Sequence, residues 1–522
     1  MLTHRDMLAR CAASYSSRIA LTADSGRNFT YLEVDRLTNA IANALAEFGF
    51  GSGDRMVWLD RNSVDYLLAY FATAKIGMTI TPLNAWLRAT ELAPQVELVS
   101  PAVLVAGDEF VELANEASTS ISPRLRVQVS QASPMASPPD GAWSSWSDLL
   151  LGSTVYVDVP LDENDVHEIV FTSGTTGDAK GVMRSQRARI LDSAFAALGY
   201  ELGRNDHLLW FLPQFHIGGG AVPNQLLIQG GRVTVLRQFE PARVVAALQS
   251  GVTYLVGVPA HYNLLFASGL LEGVDTSQIT GCYVGGSVAT AALFRSIEKN
   301  FPSADLVHGY GSSESAPHTM ALRGQDFLHH YGSLGQPVAG TEVRVVRRDG
   351  TDAGVDEAGE LWTRSDSTMT GYLDRPELTA EVLSSDGWLR TGDLVRCDAE
   401  GFFFLVDRVK DIIITGGENV YPREVEDVIS TYGGVAEVAV IGIPDALYEE
   451  RVVALIHLAD GATRPSSDDI IRYVRSQLAG FKTPKEVHFV GDFPRTGSGK
   501  IAKAKLRSSY GSVFDKGEGG LS

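Results

Sequence analysis

His167-Glu-Ile-Val-Phe171 runs without a break into Thr172-Ser-Gly-Thr-Thr-Gly-Asp-Ala-Lys-Gly181. The first five residues read as a buried strand. The ten that follow make a loop of small residues, where backbone N–H groups can come close to phosphate oxygens. Its hydroxyls and Lys180 add further donors. The GxxxxGK[ST] pattern of a P-loop is absent here, and Gly499-Lys500 fails the same test because Ile501 follows the lysine. Taken alone, the segment also suits a flexible Gly/Thr turn after a strand.

Outward from this loop the chain alternates strand and helix. Thr30-Tyr-Leu-Glu33 has the form of a capping box, in which the threonine and glutamate side chains satisfy free N–H groups at a helix start. Leu37, Ile41, Leu45 and Phe48 recur at helical spacing until Gly49 ends the run. Residues 56–59 and 102–105 read as strands and 64–76 as a helix, while the Pro/Ser-rich stretch 131–145 reads as a loop. Strands at 252–258 and 282–285 precede helical segments, the second covering 290–301. Alternation of this kind predicts layered α/β structure. Beyond Arg408 the pattern becomes strands at 438–443 and 452–457, a helix at 468–478 and a strand at 487–490, a small α+β domain.

A chain of 522 residues is too long for one ordinary core. Its net charge of −19 repels phosphate backbones and anionic lipids, which argues against nucleic-acid and membrane-surface partners. An anionic ligand must therefore be held by a local site. Cys11, Cys282 and Cys397 are far apart and show no zinc spacing, which fits a reducing compartment. The first residues have no continuous apolar run of the secretory kind, and the longest apolar stretch, 66–80, is interrupted by Lys75 and Gly77. The expected location is cytoplasmic.

Seven further stretches stand in a fixed order with the loop. They are PQFHIGGG (213–220), VGGS (284–287), HGYGSSE (308–314), GYLDRPELTAEVLSSDGWLRTGD (371–393), DRVKD (407–411), GGENVYPREVE (416–426) and PRTGSGK (494–500). Together they resemble the adenylate-forming superfamily of acyl-CoA synthetases, luciferases and peptide-synthetase adenylation domains, most closely its acyl-CoA synthetase branch. The resemblance runs over residues 29–506.

The resemblance implies a role for each match. ATP would be held by Thr172, Ser173, Gly174, Thr176, Gly177 and Lys180, with Thr175 beside them as a catalytic residue, because charge grows on the leaving oxygens as pyrophosphate departs. Gly285, Gly286 and Ser287 would form an adenine-side loop. Tyr310, within His308, Gly309, Gly311, Ser312 and Ser313, would offer the adenine a flat face; His308 could face adenine or acyl group. Ser313 stands where the family usually has threonine, and keeps the hydroxyl. Glu314 would ligate Mg²⁺, a hard cation that prefers oxygen. Phe215, His216 and Gly218 would belong to the acyl pocket, where a core histidine is a rival reading of His216. Asp393 would accept from the ribose hydroxyls, with Arg408 at ribose or phosphate or in a surface ion pair. Lys500 would bridge the anionic acid and the α-phosphate, offsetting their repulsion. The glycine-rich pocket stretches leave space without defining the acid.

The implied architecture is a large α/β domain over residues 1–408 and a small mobile domain over 409–522, pivoting near Lys410. Rotation would withdraw Lys500 and bring in Gly416 and Gly417 to line a thiol channel. The implied reaction forms an acyl-AMP and then a thioester with coenzyme A. A carrier-protein thiol, an amine or a non-carboxylic oxyacid partner are the near alternatives; a P-loop ATPase and a silent binding protein are the distant ones.

Overall fold

Thr30 caps the helix Tyr31–Glu47 as the sequence predicts: its side chain accepts from Glu33 N, and the Glu33 carboxylate accepts from Thr30 N at 2.7 Å. That helix lies against Val64–Lys75, which is buried along nearly its whole length. Lys75 is tolerated there because its ammonium meets Asp35 Oδ1 at 2.7 Å and Asn39 Oδ1 at 2.6 Å, and an unpaired buried charge would cost far more than the pair.

The computed structural model describes residues 1–130, 143–172, 179–286, 289–324, 326–415, 418–445, 448–495 and 500–514. Their contacts divide the chain into two compact units. The first comprises Met1–Thr172, Ala179–Val343 and Trp362–Thr391; the second takes in Arg344–Leu361 and the described part of Gly392–Ser522. The expected boundary after Arg408 differs from this division because Asp393 to Cys397 pair antiparallel with Phe403–Arg408, drawing both strands into one unit.

The first unit contains two sheets. In one, six parallel strands run in the order Ile19–Thr22, Arg232–Val235, His207–Trp210, Tyr254–Gly257, Gly281–Gly285, Asp305–Ser312. Antiparallel Asn28–Thr30 lies beside Ile19–Thr22, and Ala316–Arg323 then Ser333–Pro337 continue beyond Asp305–Ser312. In the other, Ser144–Ser145, Leu125–Val129, Val103–Gly107, Arg55–Leu59, Thr79–Pro82 and Val166–Thr172 are parallel, and Lys180–Ser185 then Gly371–Tyr372 follow antiparallel. The inner strands are buried on both faces, which is why they read as continuous apolar runs. Ser144–Ser145 is a short strand within the stretch expected to be loop; it pairs with Leu125–Val129. Residues 131–142 of that stretch lie outside the described residues.

In the second unit, Val435–Asp445 and Glu449–Leu458 form a long antiparallel ribbon. Alternate side chains go to opposite faces. Val440, Val452, Ala454 and Ile456 pack under the helices Pro422–Ser430 and Ser467–Gln477, while Ala439, Ile441, Ile443, Val453 and Leu455 pack with Phe493 and Leu506. Leu506 belongs to the helix Lys503–Phe514. Burying both faces of one sheet gives the expected α+β unit two small cores.

Candidate active site

The strands on either side of residues 173–178 pair with each other. Val166–Thr172 and Lys180–Ser185 pair antiparallel with Thr172 opposite Lys180, so the last strand residue and the lysine face each other across the loop's base. Ser173, Gly174, Thr175, Thr176 and Gly177 lie outside the described residues. Gly181 follows as a packing requirement: a Cβ there would stand 3.0 Å from Ile169 and 3.3 Å from Leu373.

Glu314 sits in the turn between Asp305–Ser312 and Ala316–Arg323. Ser312 and Ser315 brace this turn through their hydroxyls and backbone N–H groups. The Glu314 carboxylate accepts from the Tyr372 hydroxyl at 3.0 Å, and the Lys180 ammonium stands 5.0 Å from the centre of the same ring. Arg184, fully buried on the strand that begins at Lys180, donates to Ser313 O at 2.9 Å and also to Ser367 O. Burial first, then the neighbouring Arg189, lowers its pKa to about 10, so it stays cationic at neutral pH. One strand thus supplies both Lys180 and the clamp on the turn that holds Glu314.

The adenine-side glycines have a more local explanation than the one expected of them. Gly285 and Gly309 are partners on adjacent parallel strands. A Cβ at either would strike the Tyr283 ring, at 2.5 and 2.3 Å from its hydroxyl oxygen. Their clearance is therefore filled by Tyr283 rather than left open, and that at Gly311 is filled by the backbone of Ala316 and Pro317. Gly286 has φ +77°, which favours glycine outright. His308 lies near the Phe294 ring, and Tyr310 is half-buried opposite Met320. Ser287 lies outside the described residues.

Phe215 is buried with its ring against Trp86 and His216. His216 is the N-cap of the helix Ile217–Leu227. A Cβ on Gly218 would meet nothing within 4 Å, whereas one on Gly219 would lie 2.0 Å from Pro213 O. Of the three glycines in this helix, Gly218 is the one beside open space.

The second unit holds Asp393, Arg408, Lys410 and Lys500. Asp393 is buried and meets Arg408 Nε at 2.6 Å across the strand pair, so Arg408 makes the ion pair that is the rival reading of it, with a buried carboxylate as the other member. Arg495 and Ile501 form an isolated bridge, and Ala502 N donates to Pro494 O at 2.7 Å; together they pin the backbone flanking Lys500. Local burial of the ammonium, then the Arg408 charge, lowers the Lys500 pKa, with Asp393 opposing them. The residue is nonetheless exposed as a whole. Beside Lys410, Asp411 pairs with Arg507 at 2.7 Å. Asp407 accepts from Arg423 N at 2.9 Å, serving the start of the helix Pro422–Ser430. Gly416 and Gly417 lie outside the described residues.

Each unit therefore collects part of the expected set: a lysine, a carboxylate and a pocket helix in one, a buried carboxylate with two cations beside it in the other. The profile of the family described as AMP-binding enzyme matches residues 8–373. The chain belongs to the AMP-binding enzymes. The profile of the AMP-binding enzyme C-terminal domain matches residues 424–500 of the enzyme, ending on Lys500. The enzyme is 33% identical over 502 residues to a feruloyl-CoA synthase of Amycolatopsis sp, covering 96% of this chain and 97% of that one. It is 32% identical over 496 residues to the long-chain-fatty-acid–CoA ligase FadD13 of Mycobacterium tuberculosis, covering 93% and 94%. Its fold matches the crystal structure of ATP-bound MatB from Rhodopseudomonas palustris with a TM-score of 0.85 at 27% identity, covering 98% and 99%. Large N-terminal and smaller C-terminal parts of this AMP-binding enzyme thus stand in the order the motifs implied.

Tyr372 and Arg184 are the site residues that sequence reading missed. Tyr372 lies inside the quoted 371–393 stretch, but its neighbours Glu314 and Lys180 are distant in the chain. Arg184 lies outside every quoted motif stretch, and its partners Ser313 and Ser367 are distant in the chain.

Proposed function

We propose that this AMP-binding enzyme is an AMP-forming acyl-CoA ligase. A carboxylate oxygen attacks the α-phosphorus of ATP and the bond to pyrophosphate breaks, giving an acyl-AMP. The thiol of coenzyme A then attacks the acyl carbon, forming a thioester and releasing AMP. The observation that carries this reading is the ordered match of both family profiles on one chain.

Thr172 and Lys180 hold ATP phosphates at the base of the loop, where Ser173, Thr175 and Thr176 add hydroxyls and Gly174 and Gly177 allow close backbone approach. Glu314 fits Mg²⁺: it is a carboxylate already oriented by a hydrogen bond, and Mg²⁺ binds through one or two carboxylates plus substrate phosphates. When bound, the ion screens the phosphate charge. Asp393 accepts from the ribose, with Arg408 beside it. Lys500 neutralises the approach of acid to phosphate. Rotation near Lys410 then withdraws it and presents Gly416 and Gly417 to the incoming thiol. Phe215, His216 and Gly218 face the acyl group. Few separated cysteines, all free in the structure, support a reducing, cytoplasmic setting. No helix among the described residues is long and apolar enough to cross a membrane.

The test is a screen of aryl, short-, medium- and long-chain acids for pyrophosphate release, with and without coenzyme A. At least one acid should give AMP and pyrophosphate, and a thioester when coenzyme A is present. Adenylation without any thioester would move the acceptor to an amine or a carrier thiol. Release of ADP and phosphate would overturn the proposal.

A further inference from the structure

Tyr372 lies in a segment strapped to both phosphate-side elements. Thr370 N donates to Met183 O at 2.9 Å and Leu373 N to Gly181 O at 2.8 Å, stitching the segment to the strand that begins at Lys180. Met369 N donates to Glu314 O at 2.9 Å, and the Arg184 guanidinium joins Ser313 O to Ser367 O. Tyr372 N donates to Thr379 Oγ1 at 2.9 Å, and the side chain is buried. Its ring is thus held from several sides, while its hydroxyl meets Glu314 Oε1 at 3.0 Å and its face lies 5.0 Å from Lys180 Nζ.

A glutamate on a turn has rotamer freedom that a metal ligand cannot keep, because Mg²⁺ demands near-octahedral oxygen geometry. A lysine ammonium on a flexible stem has the same problem toward phosphate. One rigid phenol answers both. Its O–H donates a charge-assisted hydrogen bond to the carboxylate, and its ring face attracts the ammonium. Both charges engage the tyrosine, so each is held for a ligand instead of closing on the other.

We infer that Tyr372 is a positioning residue for adenylation, its hydroxyl aligning Glu314 for the metal and its ring seating Lys180 for the phosphates. This rests on the roles proposed above for Glu314 and Lys180. The two halves separate by mutation: Tyr372→Phe removes the hydroxyl and keeps the ring, and Tyr372→Leu removes both.

The experiment titrates Mg²⁺ against ATP binding, followed by calorimetry, and against pyrophosphate release, for wild type, Tyr372→Phe, Tyr372→Leu and Glu314→Gln. Tyr372→Phe should raise the Mg²⁺ needed for half-maximal ATP binding by about tenfold, the scale of one lost bond to a charged group, and excess Mg²⁺ should largely restore the rate. Tyr372→Leu should add a rise in the KM for ATP that Mg²⁺ does not reverse. Thermal melting identifies any variant that has lost its fold; Tyr372→Phe, which conserves volume and ring, decides the proposal by itself. A shifted Mg²⁺ dependence in Glu314→Gln with none in Tyr372→Phe overturns the proposal and leaves the metal role of Glu314 standing. No shift in Glu314→Gln overturns that role, and the inference with it.

Discussion

Glu314 is where a sequence motif and an observed geometry meet most closely. Its carboxylate is oriented by Tyr372, and its backbone carbonyl is held by Met369 N. Glu314→Ala should therefore slow acid-dependent pyrophosphate release by about 10²–10³-fold, the cost typical of a lost transition-state contact, without loss of fold. Wild-type release from this variant would remove Glu314 from the site. At this scale the sequence singles out Lys180, Glu314 and Asp393 by residue type, and the structure adds their surroundings: the Tyr372 ring, the Tyr372 hydroxyl and the Arg408 guanidinium. It is ambiguous where one residue type serves two causes. Gly285 and Gly309 look like room for a ligand but make room for Tyr283. Tyr372 could not be found at all, since its meaning depends on a strap that crosses the sheet.

The helix Ile217–Leu227 shows the same ambiguity at the scale of an element. Gly218, Gly219 and Gly220 look equivalent in sequence, but only the surroundings of Gly218 are open. Gly218→Ala should leave the melting temperature near that of wild type while altering the ranking of acids by kcat/KM. Gly219→Ala forces a methyl against Pro213 O and should cost about 1–3 kcal/mol in denaturant unfolding, as overpacking does. Equal stability for the two variants would contradict this packing. Elsewhere the elements were legible wherever periodicity was clean. The near-continuous apolar runs at 438–443 and 452–457 fit strands buried on both faces, and the Thr30–Glu33 box marks its helix to the residue. Glu168, in the middle of an apolar strand, was not legible as an ion-pair partner. Its mate Arg189, 2.9 Å away and equally buried, comes from the helix Gln186–Gly199.

For the whole molecule, the fold class and the order of the two parts followed from strand–helix alternation giving way to α+β. The compact units were less legible, because Arg344–Leu361 joins the second unit through contacts that no local pattern encodes. One global property comes from the buried histidines His4 and His167, whose rings lie 4.8 Å apart. Burial, then the charge of His167, holds His4 well below its ordinary pKa, and burial lowers His167 to about 3. Unfolded histidines titrate near pH 6.5, so below about pH 6.5 the unfolded chain binds protons that the folded chain refuses. The stability contributed by neutral His4 and His167 is complete above that pH and is lost as pH falls toward the folded values. The melting temperature should drop between about pH 7.5 and about pH 5.5, and His4→Phe should reduce the drop. A drop of unchanged size would show that these histidines do not govern it.

The central claim is a two-step ligase whose second unit serves the steps in turn, and Lys500 tests it most directly. Its cation is proposed to offset charge repulsion only while acid meets α-phosphate. The measurement is a pair of single-turnover assays on Lys500→Ala, one for adenylate formation from acid and ATP, the other for thioester formation from supplied acyl-AMP and coenzyme A. The account predicts adenylation slowed by at least about 10²-fold, the scale of one lost electrostatic contact, with thioester formation close to the wild-type rate. Equal collapse of both steps in a folded variant, or an undiminished rate of adenylation, would contradict it.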